Sequence, residues 1–298
     1  MSSVLSGPPD KRRRRTRGEV EQLERQIVDV LDQDHPQSIR HVFYRLTDPR
    51  LPEPIAKTER GYAQVQHRIT CMRRAGAIPY SWISDTTRVG YFTTTYSNSA
   101  EFLRRHIGAY RSDLWSTSGH YVEVWCESRS IAGVIVHLCE ELAVSLYPAG
   151  GFSSISFAYE AAANIRDEVE YTGKPANIIY IGDYDPAGVL IDRSLETELR
   201  AHLPEEIDLQ FHRLAITEKQ IVAYGLPTKP RKEGDRRALH ITETVEAEAM
   251  PAGILRQLLR DRIDSFLPAG ALEIAKVAEQ SERAHLKRWA DLIESAAP

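Results

Sequence analysis

The sequence predicts an α/β protein in which a small helical module precedes a parallel sheet. Three observations carry that expectation. Ile178-Ile179-Tyr180-Ile181 is an unbroken β-prone run bounded by Gly182, the pattern of a strand covered on both faces. Tyr121-Val122-Glu123-Val124-Trp125-Cys126 is a second run of the same kind. Stretches with helical spacing separate these runs from each other and from strand segments at 144–147 and 207–211, giving the βαβαβαβ alternation of a parallel sheet with right-handed crossovers.

Composition sets the class. With 298 residues, 42% hydrophobic and 27% charged, the chain has the make-up of a globular protein and the length for two domains. No apolar run reaches the roughly 20 residues of a membrane span, and the N-terminus lacks the apolar core of a signal peptide, so a cytoplasmic protein with no membrane partner is expected. Cys71, Cys126 and Cys139 form no CxxC pair, which fits a reducing compartment and argues against structural zinc. The net charge of −4 is unevenly spread: residues 1–90 hold 16 Lys and Arg against 11 Asp and Glu. A basic front and an acidic rear suit one module that meets a polyanion and another that holds cations.

Taken in order, residues 1–17 end in Lys11-Arg12-Arg13-Arg14-Arg15-Thr16-Arg17, a self-repelling basic tail read as disordered. Val20, Leu23, Ile27, Val30 and Leu31 mark a first helix, ended by Asp34-His35-Pro36. Ile39, Val42, Phe43 and Leu46 then lie on one face of a short second helix. Tyr44 falls away from that stripe and shares the outer face with Arg40, so its hydroxyl is expected to point outward beside a guanidinium. A third helix, 58–75, turns Tyr62, Val65, Ile69 and Met72 inward and ends at Gly76. Its other faces carry Lys57, Arg60, Gln64, Gln66, His67, Arg68, Arg73 and Arg74. Of these Arg60, Gln64, His67, Arg68, Arg73 and Arg74, with Arg45, are candidate DNA contacts. Residues 78–91 have the β-prone composition of a two-stranded wing, so residues 18–115 read as a winged helix with the third helix as groove reader.

The later half, 116–298, carries the acids. Glu127 follows the Tyr121–Cys126 run, just before a helical stretch at 131–142. Asp183 and Asp185 follow the Ile178–Ile181 run and project to one side in extended backbone. Carboxylates at the C-terminal edge of parallel strands sit where open α/β sheets bind ligands, and oxygen donors suit a hard cation. Helical stretches at 157–171 and 189–202 flank the second acidic strand. The turn at 148–154 offers backbone N–H groups to phosphate or is simply a turn. Residues 220–227 and the basic loop 229–237, with Lys229 and Arg231, read as a surface excursion. Helices at 254–266 and 271–293 close the chain, the second with an apolar stripe that packs on the sheet or pairs between protomers.

A glutamate and an Asp-x-Asp pair on two strands resemble the Toprim domain of topoisomerases, primases and related nucleases. The whole ordered set, Arg40-x-x-x-Tyr44, a winged helix, Glu127 and Asp183-x-Asp185-Pro186-x-Gly188, resembles the A subunit of type IIB DNA topoisomerase (topoisomerase VI) and the related meiotic double-strand-break transesterase. The resemblance implies a CAP-like winged helix followed by a Rossmann-like Toprim sheet with helices on both faces and a helical C-terminal extension. It implies Tyr44 as nucleophile toward double-stranded DNA, assisted by Arg40, with Mg²⁺ on Glu127, Asp183 and Asp185. It further implies a nucleoid-associated homodimer whose composite sites join one protomer's tyrosine to the other's acids. The chain is shorter than a standard A subunit and encodes no B-type ATPase. It therefore looks like the reduced form called topoisomerase mini-A, with any ATPase partner on a separate chain.

The chemistry expected is transesterification to a 5′-phosphotyrosyl link and a free 3′-hydroxyl. A tyrosine with pKa about 10 needs positive charge nearby, from Arg40 or from His41 or Arg45. Glu127 is also placed to protonate the leaving oxygen. The alternatives are a Toprim nuclease that activates water, with Tyr44 only binding phosphate, and a non-catalytic winged-helix DNA-binding protein.

Overall fold

The computed structural model describes residues 15–84, 93–150, 155–231, 238 and 240–295. Three helices open it: α1 (Arg17–Gln33), α2 (Ile39–Leu46) and α3 (Glu59–Arg74). Each starts where a hydroxyl takes an otherwise unpaired backbone N–H. Thr16 forms a capping box with Glu19, Ser38 accepts from the His41 N–H, and Thr58 accepts from the Gly61 N–H. Their apolar faces, Leu23, Ile27 and Leu31 against Val42, Leu46, Val65 and Ile69, are buried as the periodicity requires.

The expected wing lies only partly within the described residues. There a 3-10 turn, Tyr80–Trp82, leads to a single bridge between Ile83 and Gln37, and residues 85–91 lie outside them. Most of the basic tail (1–14), the turn residues 151–154 and the loop residues 232–237 also lie outside.

β1 (Tyr121–Cys126), β2 (Ser145–Pro148), β3 (Ala176–Ile181) and β4 (Leu209–Ala215) form a parallel sheet in the order β2-β1-β3-β4. The fold is thus α/β with a Rossmann-like sheet. After β1 the chain runs through α5 (Arg129–Glu141) to β2 at one edge. It then crosses by α6 (Ile155–Thr172) to β3 on the other side of β1, and continues by α7 (Gly188–His202) to β4.

Alternation along the strands splits the packing. Val122, Val124, Cys126, Ile179 and Ile181 join a core with α5 that is continuous with the buried faces of α1 to α3. Trp125, Ile178 and Tyr180 turn the other way, onto Ala162 and Ile165 of α6 and Ile191 and Leu195 of α7. Glu123 shares that second side. It is buried, and its two oxygens accept from the Tyr121 hydroxyl at 2.6 Å and the Trp125 indole at 2.7 Å, so it is a satisfied structural acid.

The region expected to be a surface excursion is built in. Residues 218–224 form α8 (Glu218–Tyr224), closed by Gly225 in the left-handed conformation. β5 (Lys229–Pro230) pairs with β6 (Glu243–Thr244). The strap that follows, 245–250, buries Val245, Ala247, Ala249 and Met250. It is stitched to the loop after β3 by reciprocal backbone bonds between Tyr184 and Val245, both 2.9 Å. An apolar run of this kind cannot stay on the surface, which is why the strap dives between α2 and the sheet.

α9 (Ala252–Asp264) then packs on α5, and α10 (Ala271–Ser295) on α4 (Ser99–His106), where Arg104 pairs with Asp291 and Glu294. The predicted stripe of α10 is largely uncovered, with Ile274, Val277, Trp289 and Leu292 all more than half exposed.

Candidate functional site

Because β1 and β3 are neighbours whose crossovers leave in opposite directions, their C-terminal ends open a crevice at the switch point of the sheet. Glu127 and the Asp183–Asp185 turn stand on its two lips. The Glu127 N–H donates to the Ile181 carbonyl at 2.9 Å, and its Oε2 accepts from the Asp183 N–H at 3.1 Å. Asp183 Oδ1 accepts from the Ala247 N–H of the strap at 2.8 Å, and Asp185 Oδ1 from the Gly188 N–H at 2.5 Å. A Cβ on Gly188 would collide with the Asp183 carbonyl, so only glycine lets α7 begin this close to the acids.

Arg213 of β4 fastens the turn from behind. It donates to the carbonyls of Gly182 and Asp183 and pairs with Asp192 at 2.7 Å. A fourth acid, Glu248, enters from the strap and accepts from the hydroxyls of Ser128 and Ser130.

The acids repel one another. Burial first, then Glu127 and Glu248, push the Asp183 carboxyl up to about 8. Burial, together with Asp185 and Glu248, also raises Glu127, against the pull of the Asp183 N–H and Arg213. A cavity of about 570 Å³ is lined by Glu127, Asp183, Asp185, Glu246 and Glu248, and on its far wall by Arg40 and Lys229. Among the described residues no three of these acids are drawn tightly enough together to share one cation.

Arg40 also lines a second cavity, of about 260 Å³, with Tyr44, Lys57, Tyr62 and Lys229. Here the structure corrects the expectation for Tyr44. The residue is 3% exposed, because the strap packs over the outer face of α2. Its hydroxyl is not sealed among apolar groups. It stands beside Glu246, whose carboxylate takes Arg40 Nη1 and Lys229 Nζ, each at 2.6 Å. Lys57 and Lys229 hold their ammonium groups 5.3 Å and 5.8 Å from the centre of the Tyr44 ring.

Burial raises the Tyr44 phenol well above its ordinary range, and Glu246 adds to this while Arg40 opposes it. For Glu246 burial works upward, but Lys229, Arg40 and Tyr44 prevail and bring it down to about 2. Burial and the neighbouring Lys229 bring the Lys57 ammonium down to about 8.

Two helpers foreseen for Tyr44 are spent elsewhere. Burial lowers His41 to about 3, so it is neutral, and its Nδ1 meets the Ser38 hydroxyl. Arg45 turns inward and donates to the Ala249 carbonyl, contrary to its expected place on a DNA face.

The other foreseen contacts lie around α3. Arg60 and Arg74 are exposed, as are Gln64, which accepts from Arg15 at 3.0 Å, and His67, which faces Cys71. Arg68 pairs with Glu24 at 3.1 Å, and Arg73 stacks over Tyr80 at 4.4 Å. Arg60, Gln64, His67 and Arg68 share a groove of about 920 Å³ with α1, apart from the acidic cavity.

Three participants escaped the sequence reading: Glu246, Glu248 and Arg213. The signal for the first pair was there, since Val245-Glu246-Ala247-Glu248-Ala249-Met250 alternates acids with residues suited to a core. Arg213 carries no local mark, and Lys57, read with the basic faces of the third helix, stands instead over the Tyr44 ring. No protein-family model, curated protein or solved structure matches the chain.

Proposed function

We propose that the protein cleaves double-stranded DNA by Mg²⁺-dependent tyrosine transesterification. One observation carries the reading: Arg40 lines both the cavity of Glu127, Asp183 and Asp185 and the cavity of Tyr44. A nucleophile, a guanidinium and an acidic edge are thereby brought to one place.

In the reaction the Tyr44 hydroxyl gives up its proton to water, its oxygen forms a bond to phosphorus and the bond from phosphorus to the 3′-oxygen breaks. The tyrosine takes the 5′-phosphate, and the 3′-oxygen leaves as a hydroxyl. Arg40 stabilises the charge gathered on the phosphate oxygens. Glu127, whose carboxyl is raised by burial, is the candidate acid for the leaving oxygen.

Glu127, Asp183 and Asp185 supply the all-oxygen donors that Mg²⁺ takes, and they would have to draw closer around an ion than they stand here, where no three of the acids among the described residues are grouped tightly enough to share one. Each of the three keeps one oxygen with no hydrogen bond among the described residues. Bound there, the ion would neutralise charge on the scissile or adjacent phosphate.

The winged-helix reading of residues 18–115 belongs to this proposal, with the exposed α3 face toward duplex DNA and the protein at the nucleoid. So does a homodimer, for which the uncovered face of α10 offers a surface. Composite sites follow from the family resemblance, whereas this chain already brings its own Arg40 to its own acids. Mixing Tyr44→Phe and Asp183→Asn protomers decides the point, because cleavage returns only if sites are shared. A B-type ATPase partner remains part of the same proposal.

A second reading has its own support. Tyr44 is buried and held protonated, which suits a hydrolytic nuclease in which the acids act on water. Supercoiled plasmid incubated with Mg²⁺ and denatured with and without protease separates the two. Transesterification leaves DNA bound to protein and is abolished in Tyr44→Phe. Hydrolysis leaves free ends and survives that change.

A further inference from the structure

The cations around Tyr44 already grip an anion of their own chain. Glu246 Oε2 takes Arg40 Nη1 and Oε1 takes Lys229 Nζ, both at 2.6 Å, while the Tyr44 hydroxyl stands beside the same carboxylate, near enough for each to shift the other's ionisation. A planar guanidinium, a point-charge ammonium and a hydroxyl converging on oxygens is also the donor set that holds a phosphate. Lys57 adds a third positive charge on the same side of the ring, and the 260 Å³ cavity beside the carboxylate leaves room for an anion with substituents. The Glu246 side chain is one-quarter exposed and sits between the tyrosine cavity and the acidic one.

We infer that Arg40, Lys229 and the Tyr44 hydroxyl form a phosphate-binding site whose ligand is a phosphodiester of DNA, and that Glu246 fills this site until the phosphodiester displaces it. The inference rests on the cleavage proposal and deepens it by giving Lys229 and Glu246 roles. Both anions carry one negative charge, so the exchange leaves the cations balanced. It needs only rotation of the Glu246 side chain, because the strap backbone stays bonded to Tyr184. With Glu246 in place a phenolate would face a carboxylate, which holds the tyrosine idle. With a phosphodiester in place the same oxygen faces phosphorus between Arg40 and Lys229.

Inorganic phosphate is the probe, titrated calorimetrically into the full chain in chelator so that no cation at the acidic edge draws it. Glu246→Gln keeps the shape and removes the charge. It should bind phosphate at least about tenfold more tightly than the unaltered protein, the scale of one charge-assisted hydrogen bond. Adding Lys229→Gln should reverse the gain. A folded Glu246→Gln protein with unchanged phosphate affinity overturns the inference, as does a gain indifferent to Lys229→Gln.

If Glu246→Gln does not fold, Lys229→Gln alone decides. A roughly tenfold slower covalent adduct with unchanged duplex affinity supports the site, and an unchanged adduct rate overturns it. The readouts keep the two ideas apart. Phosphate binding gained in Glu246→Gln without any covalent adduct in the unaltered protein sinks transesterification and leaves the anion site standing. Adduct formation with no phosphate effect does the reverse.

Discussion

The tyrosine end and the acidic edge of this protein face opposite electrostatic problems. Around Tyr44 two cations, Arg40 and Lys229, close on one carboxylate, and a third, Lys57, stands over the ring and donates to the carbonyls of Pro227 and Thr228. Around Asp183 four carboxylates converge, and the nearby cation Arg213 is committed to Asp192 and to backbone carbonyls. One half has its counter-charge built in through Glu246; in the other, backbone N–H groups donate to Glu127, Asp183 and Asp185, and serine hydroxyls to Glu248. The pKa shifts record the difference. Glu246 is held ionised down to about 2, whereas Asp183 stays protonated up to about 8. The first half is therefore satisfied at rest, and the second relieves its repulsion by keeping a proton, which in the proposal a cation would replace.

The largest expected effect exploits that contrast. The Asp183 pKa is raised from 3.8 in the unfolded chain to about 8 in the folded one. Between those values the folded state binds the extra proton, so stability falls as pH rises through the window. The loss is on the order of 5 kcal/mol by pH 8 if the shift holds in full. Denaturant unfolding in chelator should show it, and Asp183→Asn should flatten the profile while abolishing cleavage. Adding Mg²⁺ at pH 8 should restore stability to the unaltered protein and leave the asparagine variant unmoved. Identical pH profiles for the two proteins would remove the repulsion on which the comparison stands.

Arg213 comes next. Arg213→Met leaves Asp192 without its partner in a site where both side chains are less than one-fifth exposed, a loss of about 3 kcal/mol by thermal or chemical unfolding. Asp192→Leu added to it should recover much of that stability. It should not recover Mg²⁺ affinity, because the carbonyls of Gly182 and Asp183 remain untied and the acidic turn is no longer set. Full recovery of both would make Arg213 a packing residue alone.

How much of this could be read beforehand follows from the range of the forces involved. The strands Tyr121–Cys126 and Ala176–Ile181 and the position of Glu127, Asp183 and Asp185 at their ends are set by local pattern, and local pattern is what a sequence displays. The burial of Tyr44 was not legible, because it comes from a strap two hundred residues later closing over α2. Arg40 and Glu246 are 206 positions apart, and nothing in either neighbourhood announces the pair. Arg45 failed for the same reason: its carbonyl partner, Ala249, lies on that strap.

Glu246 offers a smaller effect of opposite sign to that of Asp183. Its folded pKa, about 2, lies below the ordinary 4.5, so it contributes stability above pH 4.5 that is lost as pH falls toward 2. Because the side chain is partly exposed, screening reduces this to on the order of 1–2 kcal/mol. Glu246→Gln should lower stability by that much above pH 4.5 and flatten the acid limb of the unfolding profile, leaving the slope between pH 5 and 8 as it was. A change on the alkaline limb instead would mean that the two halves share their charge rather than balance it separately.

The smallest effect separates cations that hold the fold from cations left for a polyanion. Arg60 and Arg74 are exposed on α3, and replacing each with Gln should change stability by no more than about 0.5 kcal/mol. Each replacement should nevertheless lower the slope of log affinity for duplex DNA against log salt by about one, since each charge released counterions on binding. Arg45 is the control, because its guanidinium is tied to the Ala249 carbonyl. Arg45→Met should leave the salt slope alone and cost roughly 1–3 kcal/mol of stability through the lost bond to a buried carbonyl. Were Arg45→Met to lower the salt slope while Arg60→Gln did not, the surface toward DNA would be the strap side of α2 rather than α3, and the tyrosine end would have to open before any duplex could bind.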